Sequence, residues 1–151
     1  KPERNLFLSI NYDGNFEENQ GWAALGATAS VQGRMRRYVE PQPAFAQASL
    51  AQAVELALCT WAVGSLAQAA SESPAAESSS TQLSEEQTEG DGSSLPDKAA
   101  LLAHVRQTVA EKSLECVLLE RRGPGSAKYR ALRPEELGRL LPSAVSSPAT
   151  T

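Results

Sequence analysis

The chain has 151 residues, 41% of them hydrophobic, with 14 bases against 18 acids and a net charge of −4. That length predicts one domain, and the apolar share permits a packed core. Seven acids (Glu72, Glu77, Glu85, Glu86, Glu89, Asp91, Asp97) fall within residues 71–97, so the remainder holds 14 bases against 11 acids, a net +3. This is well short of the strong basic footprint of a dedicated nucleic-acid binder. Because the acids are concentrated in one segment, the overall charge does not by itself exclude nucleic acid either.

In chain order, NLFLSINY (5–12) alternates Leu6, Leu8, Ile10 and Tyr12 with Phe7, Ser9 and Asn11. Both faces start apolar, which predicts a strand in the centre of a sheet. DGNFEENQG (13–21) is rich in turn residues. GWAALGATASV (21–31) predicts a second strand, and QG (32–33) a hairpin turn into a third, RMRRYVE (34–40). Arg34, Arg36 and Arg37 then read as a solvated face. PQP (41–43) stops that strand, and Ser49 is positioned to cap a helix over about 49–69. Leu50, Val54, Leu58 and Trp61 form its apolar stripe.

Residues 71–97 are rich in Ser and Glu and contain no base and no aromatic. Such a composition buries too little apolar surface to offset its ordering entropy, so a disordered insertion is expected, and likewise a disordered tail over 143–151. The expected folded domain is 4–142 without that insertion. A second helix follows Pro96–Asp97, with Leu101, Leu102, Val105 and Val109 as its stripe. SLECVLLE (113–120) predicts a strand buried on both faces near its end, paired with AKYRAL across the loop that opens RRGPGS. RPEELGRLLP (133–142) predicts a short helix with Pro134 at its first position.

The candidate chemistry is sparse. Cys59 and Cys116 are isolated, without CxxC spacing, and read as buried, reduced thiols of an intracellular protein of open compartment. Neither a signal-peptide pattern nor an apolar run long enough to span a membrane stands out. His104, the single histidine, falls in the second helix as a surface or half-buried residue. Arg121, Arg122, Lys128 and Arg130 in RRGPGSAKYR form either an exposed hairpin tip or a basic loop for phosphates. Glu55 is the one charged residue between Glu40 and Glu72. It lies either on the helix's exposed stripe or inside the packing, where a carboxylate needs a partner or a metal. Asp13 is either a turn residue or an oxygen ligand at the end of the first strand.

INYDGNF, GWAALGATASVQGRM and RRYVEPQPAFAQASLAQAVELAL together resemble the front half of a ribonuclease H-like domain, over about residues 5–69. The resemblance implies an α/β fold in which helices pack on a mixed β-sheet of β-β-β-α-α-β-α order. It implies that Asp13 and Glu55 are Mg²⁺ ligands and catalytic residues. Glu120 takes the third acid's place if the insertion delays the fourth strand. If 113–120 is instead the fifth strand, Glu135 or Glu136 stands near the fourth acid and the third is missing. The histidine that such enzymes often carry in a late loop is absent. Two expectations follow. One is a degenerate domain that binds nucleic acid or protein subunits within a larger assembly. The other is an active Mg²⁺-dependent nuclease on RNA–DNA hybrids. An unrelated α/β protein-interaction domain is the third reading.

Overall fold

The computed structural model describes residues 6–10, 14–42, 48–71, 94–119 and 128–145. Within them the chain is mixed α and β, with four helices and two small antiparallel sheets. The order is β1 (Leu6–Ile10), β2 (Phe16–Gln20), α1 (Ala29–Val39), α2 (Leu50–Ser71), α3 (Lys98–Glu111), β3 (Val117–Leu119), β4 (Tyr129–Ala131) and α4 (Pro134–Leu140).

Each helix starts on a cap that the sequence supplies. Ser49 Oγ accepts from Gln52 N at 3.3 Å, and Ser49 N donates back to Gln52 Oε1 at 2.8 Å, a reciprocal capping box at α2. Asp97 accepts from Ala100 N at 2.7 Å at α3, and Thr28 Oγ1 from Val31 N at 3.2 Å at α1. In α4 Pro134 occupies the first turn, and Glu136 Oε2 accepts from Arg133 N at 3.1 Å. That hydrogen bond leads the influences that hold the Glu136 carboxyl below its ordinary range, with Arg130 adding to it.

α2 is the central element, and α1, α3 and α4 all pack on it. Leu101 and Val105 of α3 are fully buried against Ala62, Val63 and Leu58 of α2, and Leu132, Leu137 and Val145 close the same core. Burying each large side chain stabilises the fold by roughly 1.5–3 kcal/mol. α1 lays Val31, Met35 and Val39 on the other flank of α2. There Gly64 lets the helices approach closely, since a Cβ at that position would sit 2.7 Å from Met35 Sδ.

β1 and β2 pair in the register Leu6↔Gln20 to Ile10↔Phe16, and Gly14, with φ 85°, lies between them. Arg36 of α1 ties this hairpin to the helices through Glu17, and reaches Asn19 Oδ1 at 3.5 Å. The second hairpin pairs Val117↔Ala131 through Leu119↔Tyr129, and Leu132 N extends it to Cys116 O at 2.9 Å.

Several sequence expectations change. Residues 34–39 belong to helix α1, with Glu40 as its C-cap, and not to a third strand, because Val31, Met35 and Val39 recur every four residues on its buried face. The second strand is Phe16–Gln20, inside the stretch read as a turn, and most of 21–31 is irregular before α1 begins. The described strands form two separate pairs, so the expected β-β-β-α-α-β-α order becomes β-β-α-α-α-β-β-α. β1 has one strand neighbour among the described residues and is exposed rather than central. β3 turns Val117 and Leu119 outward, at 47% and 72% exposure, instead of burying both faces. α2 is, by length and composition, long and apolar enough to cross a membrane, contrary to the sequence reading; much of it is the core on which the other helices pack. Residues 72–93 of the expected insertion and 146–151 of the expected tail lie outside the described residues, whereas Val145 is packed in the core.

Candidate functional site

An α-helix that is apolar all round belongs at the centre of a bundle, because every side needs a cover. α2 is such a helix: Glu55 is the single ionisable carboxylate or base along its 22 residues. Three neighbouring helices cover part of its circumference. On the remaining side, Leu50, Ala53, Ala57 and Trp61 follow at intervals of three and four and so share one stripe. Leu50 and Trp61 are 37% and 41% exposed.

Across from this stripe α3 presents Val105, Thr108 and Val109, its C-cap residue Lys112 follows, and Leu114 and Cys116 lead on to Val117, the first residue of β3. Leu137 lies at the floor. Together they bound an apolar groove of about 500 Å³, within the range of binding sites. The α2 stripe is three turns long, about 16 Å. Trp61 is held at the rim by His104, whose ring stacks on the indole with centroids 5.7 Å apart, while His104 Nε2 meets Ser65 Oγ at 3.0 Å. Two flanking helices and a hydrophobic floor form the kind of trough into which an amphipathic helix lays its apolar face.

Of the candidate metal-site acids Asp13, Glu55 and Glu120, the described residues include Glu55 alone. Glu55 is half-buried and ion-paired with Lys98, the first residue of α3. A cation in the first turn of a helix opposes its dipole, so Lys98 there draws its support from Glu55 and from the Asp97 cap. The pairing with Glu55 raises the Lys98 ammonium above its ordinary pKa. Glu55 therefore already carries its counter-charge, delivered by a neighbouring helix. Asp13, Glu120, Arg121 and Arg122 lie outside the described residues. Among the described residues no group of three His, Cys, Asp or Glu side chains stands close enough to hold a metal ion. Of the expected phosphate contacts, Arg130 is bound to Glu136 Oε1 at 2.8 Å, and Lys128 immediately precedes β4. Glu135 lies exposed in the first turn of α4 beside Glu136.

Beside Glu55 the α1–α2 contact carries a second polar pair, the Tyr38 hydroxyl with the Cys59 thiol. Burial first, then Cys59 and the Glu55 charge, push Tyr38 up to about 12 from 10.0, and burial also raises Cys59. Both groups are thus held neutral by the fold. Acids with a raised folded pKa contribute stability that is complete below their unfolded pKa and is lost as pH rises towards the folded value. Lys98, stabilised in its charged form, loses its contribution in the same alkaline direction. The expected outcome is a urea midpoint that falls progressively above about pH 9, with a shallower fall in Tyr38→Phe. Parallel falls in the two proteins would count against this placement of Tyr38.

Sequence reasoning placed Leu50 and Trp61 on an apolar stripe of this helix, but it singled out neither Ala53 and Ala57, nor the groove itself, nor Lys98 as the counter-ion of Glu55. A signal for the groove was present in the near-total lack of charge around α2, which foretells more cover than three helices provide. No family model matches the chain, and comparisons with curated proteins and with solved structures likewise yield no significant match.

Proposed function

We propose that this chain is a non-catalytic binding module that receives an amphipathic helical segment of a protein partner in the groove between α2 and α3. The observation that carries this reading is the apolar stripe Leu50–Ala53–Ala57–Trp61, left open by the described residues, on a helix that is apolar all round. A partner helix with apolar residues at i, i+3, i+4 and i+7 would complete the cover of α2. Its direct test is titration with synthetic amphipathic helical peptides, followed by the fluorescence of Trp61 in a Trp22→Phe background. Saturable binding with a blue shift of the indole emission is the expected result, and a flat response across peptides of differing charge would refute it.

The competing reading is the ribonuclease H-like one, in which residues 5–69 hold Mg²⁺ between Asp13 and Glu55, with Glu120 as the third acid. It draws support from the Asp-Gly pair after β1 and from a half-buried carboxylate on α2. The helical 29–39 segment and the Lys98–Glu55 pair weigh against it. Binding of RNA or an RNA–DNA hybrid through residues 121–130 is likewise the weaker choice, because Arg130 is engaged with Glu136. With a labelled RNA–DNA hybrid and Mg²⁺, wild type, Asp13→Asn and Glu55→Gln should all show only background hydrolysis. Mg²⁺-dependent cleavage by wild type that Asp13→Asn abolishes would establish the nuclease instead.

A further inference from the structure

The β1–β2 hairpin carries a second surface, separate from the groove and independent of the reading above. Directly opposed residues of paired strands share a face, so Leu6, Leu8, Ile10 and Phe16 project to one side together with Glu18 and Gln20. Those four apolar residues are 49%, 56%, 73% and 67% exposed. The other face holds Glu17 and Asn19, which meet Arg36 of α1. An exposed apolar patch on the order of 400 Å² is the size that marks interaction sites on protein surfaces. A two-stranded hairpin alone is also marginal in water, and gains independent stability with further strands.

The two outer edges of the hairpin differ in charge. β2 reads FEENQ, and its Glu17 and Glu18 guard that edge against strand pairing. β1 reads LFLSI, with no charge and no proline, and among the described residues no strand pairs with its outer edge. We propose that β1 is a dimerisation edge: a second copy of this chain pairs its own β1 antiparallel to it, about a two-fold axis at Leu8. This register sets Leu8 against Leu8, Leu6 against Ile10 and Phe7 against Ser9 of the other copy. Apolar side chains cover one another across the strands, and no charge meets a like charge. The equivalent β2–β2 pairing would set Glu18 against Glu18. The asymmetry also selects the occupant. In a pair of copies the one open edge is consumed on both sides, and the guarded β2 edges become the rims of a four-stranded sheet. An isologous contact of this kind closes at two and does not propagate into a fibre.

Sedimentation equilibrium of the full chain, from about 1 µM to about 500 µM, tests the proposal by mass action. The expected result is a monomer–dimer equilibrium that Leu8→Lys weakens at least tenfold, while Leu119→Lys on β3 leaves it unchanged. Circular dichroism of both variants should match wild type, since both residues are exposed. Mild oxidation of Leu8→Cys should yield a covalent dimer whose disulfide, located by mass spectrometry, joins the substituted position to itself. A monomer throughout the concentration range overturns the proposal. So does a dimer that persists in Leu8→Lys, or a ladder of higher oligomers.

Discussion

Leu101→Ala is expected to lower the free energy of unfolding by about 3 kcal/mol, read as a shift in the urea midpoint at constant slope. Leu101 is fully buried on α3, among Val63 and Ala62 of α2 and Val105 of its own helix. Removing three side-chain carbons there forfeits their transfer free energy and leaves a cavity, and packed helices relax only partly into it. The substitution also reports on architecture. α3 is separated from α2 in sequence by residues 72–97, so its docking depends on side-chain packing more than on a short connection. A loss below about 1 kcal/mol would mean that α3 is not seated on α2 as described. The exposed Ala103 of the same helix is the control site, where Ala103→Ser should stay within about 0.5 kcal/mol of wild type.

Ala57→Glu is expected to weaken binding of amphipathic helical peptides at least tenfold while leaving the urea midpoint nearly unchanged. Ala57 is exposed in the free protein yet lies in the middle of the open α2 stripe. A carboxylate there stays hydrated when the groove is empty and loses that hydration when a helix covers it. Burial of an unpaired charge is among the costliest changes at an interface. The substitution therefore separates the groove as a docking site from the groove as part of the folded core. Equal peptide affinity in wild type and Ala57→Glu would place the binding surface elsewhere.

Much of the helical half of this fold is legible in the sequence because its signals are local. Ser49 with Gln52, Asp97 after Pro96, and Pro134 each mark a helix start, and the observed helices begin next to these residues. The stripe Leu101, Leu102 and Val105 is buried as its spacing predicts. The front third misleads for an identifiable reason. In VQGRMRRYV the apolar residues Val31, Met35 and Val39 keep a period of four, but the intervening arginines mimic the alternation of a strand, and Gln32–Gly33 mimics a turn. Thr28, the capping residue, was the signal that separates the two readings. β2 was illegible because FEENQ has little strand propensity of its own and is defined by its register with β1. At the candidate site, the sequence marked Glu55 as unusual but offered no means of finding Lys98, 43 positions later, as its partner. A contact of that range is set by helix docking and leaves no local trace.

The most direct test of the groove is NMR chemical-shift mapping of the ¹⁵N-labelled chain with the tightest-binding peptide of the amphipathic series. The expected shifts cluster at Leu50, Ala53, Ala57 and Trp61 of α2 and at Val105 and Val109 of α3, with the Trp61 indole N–H among the largest. Shifts confined to the β1–β2 hairpin or to residues 121–130, or none with any peptide of the series, would contradict the assignment of this groove as the docking site.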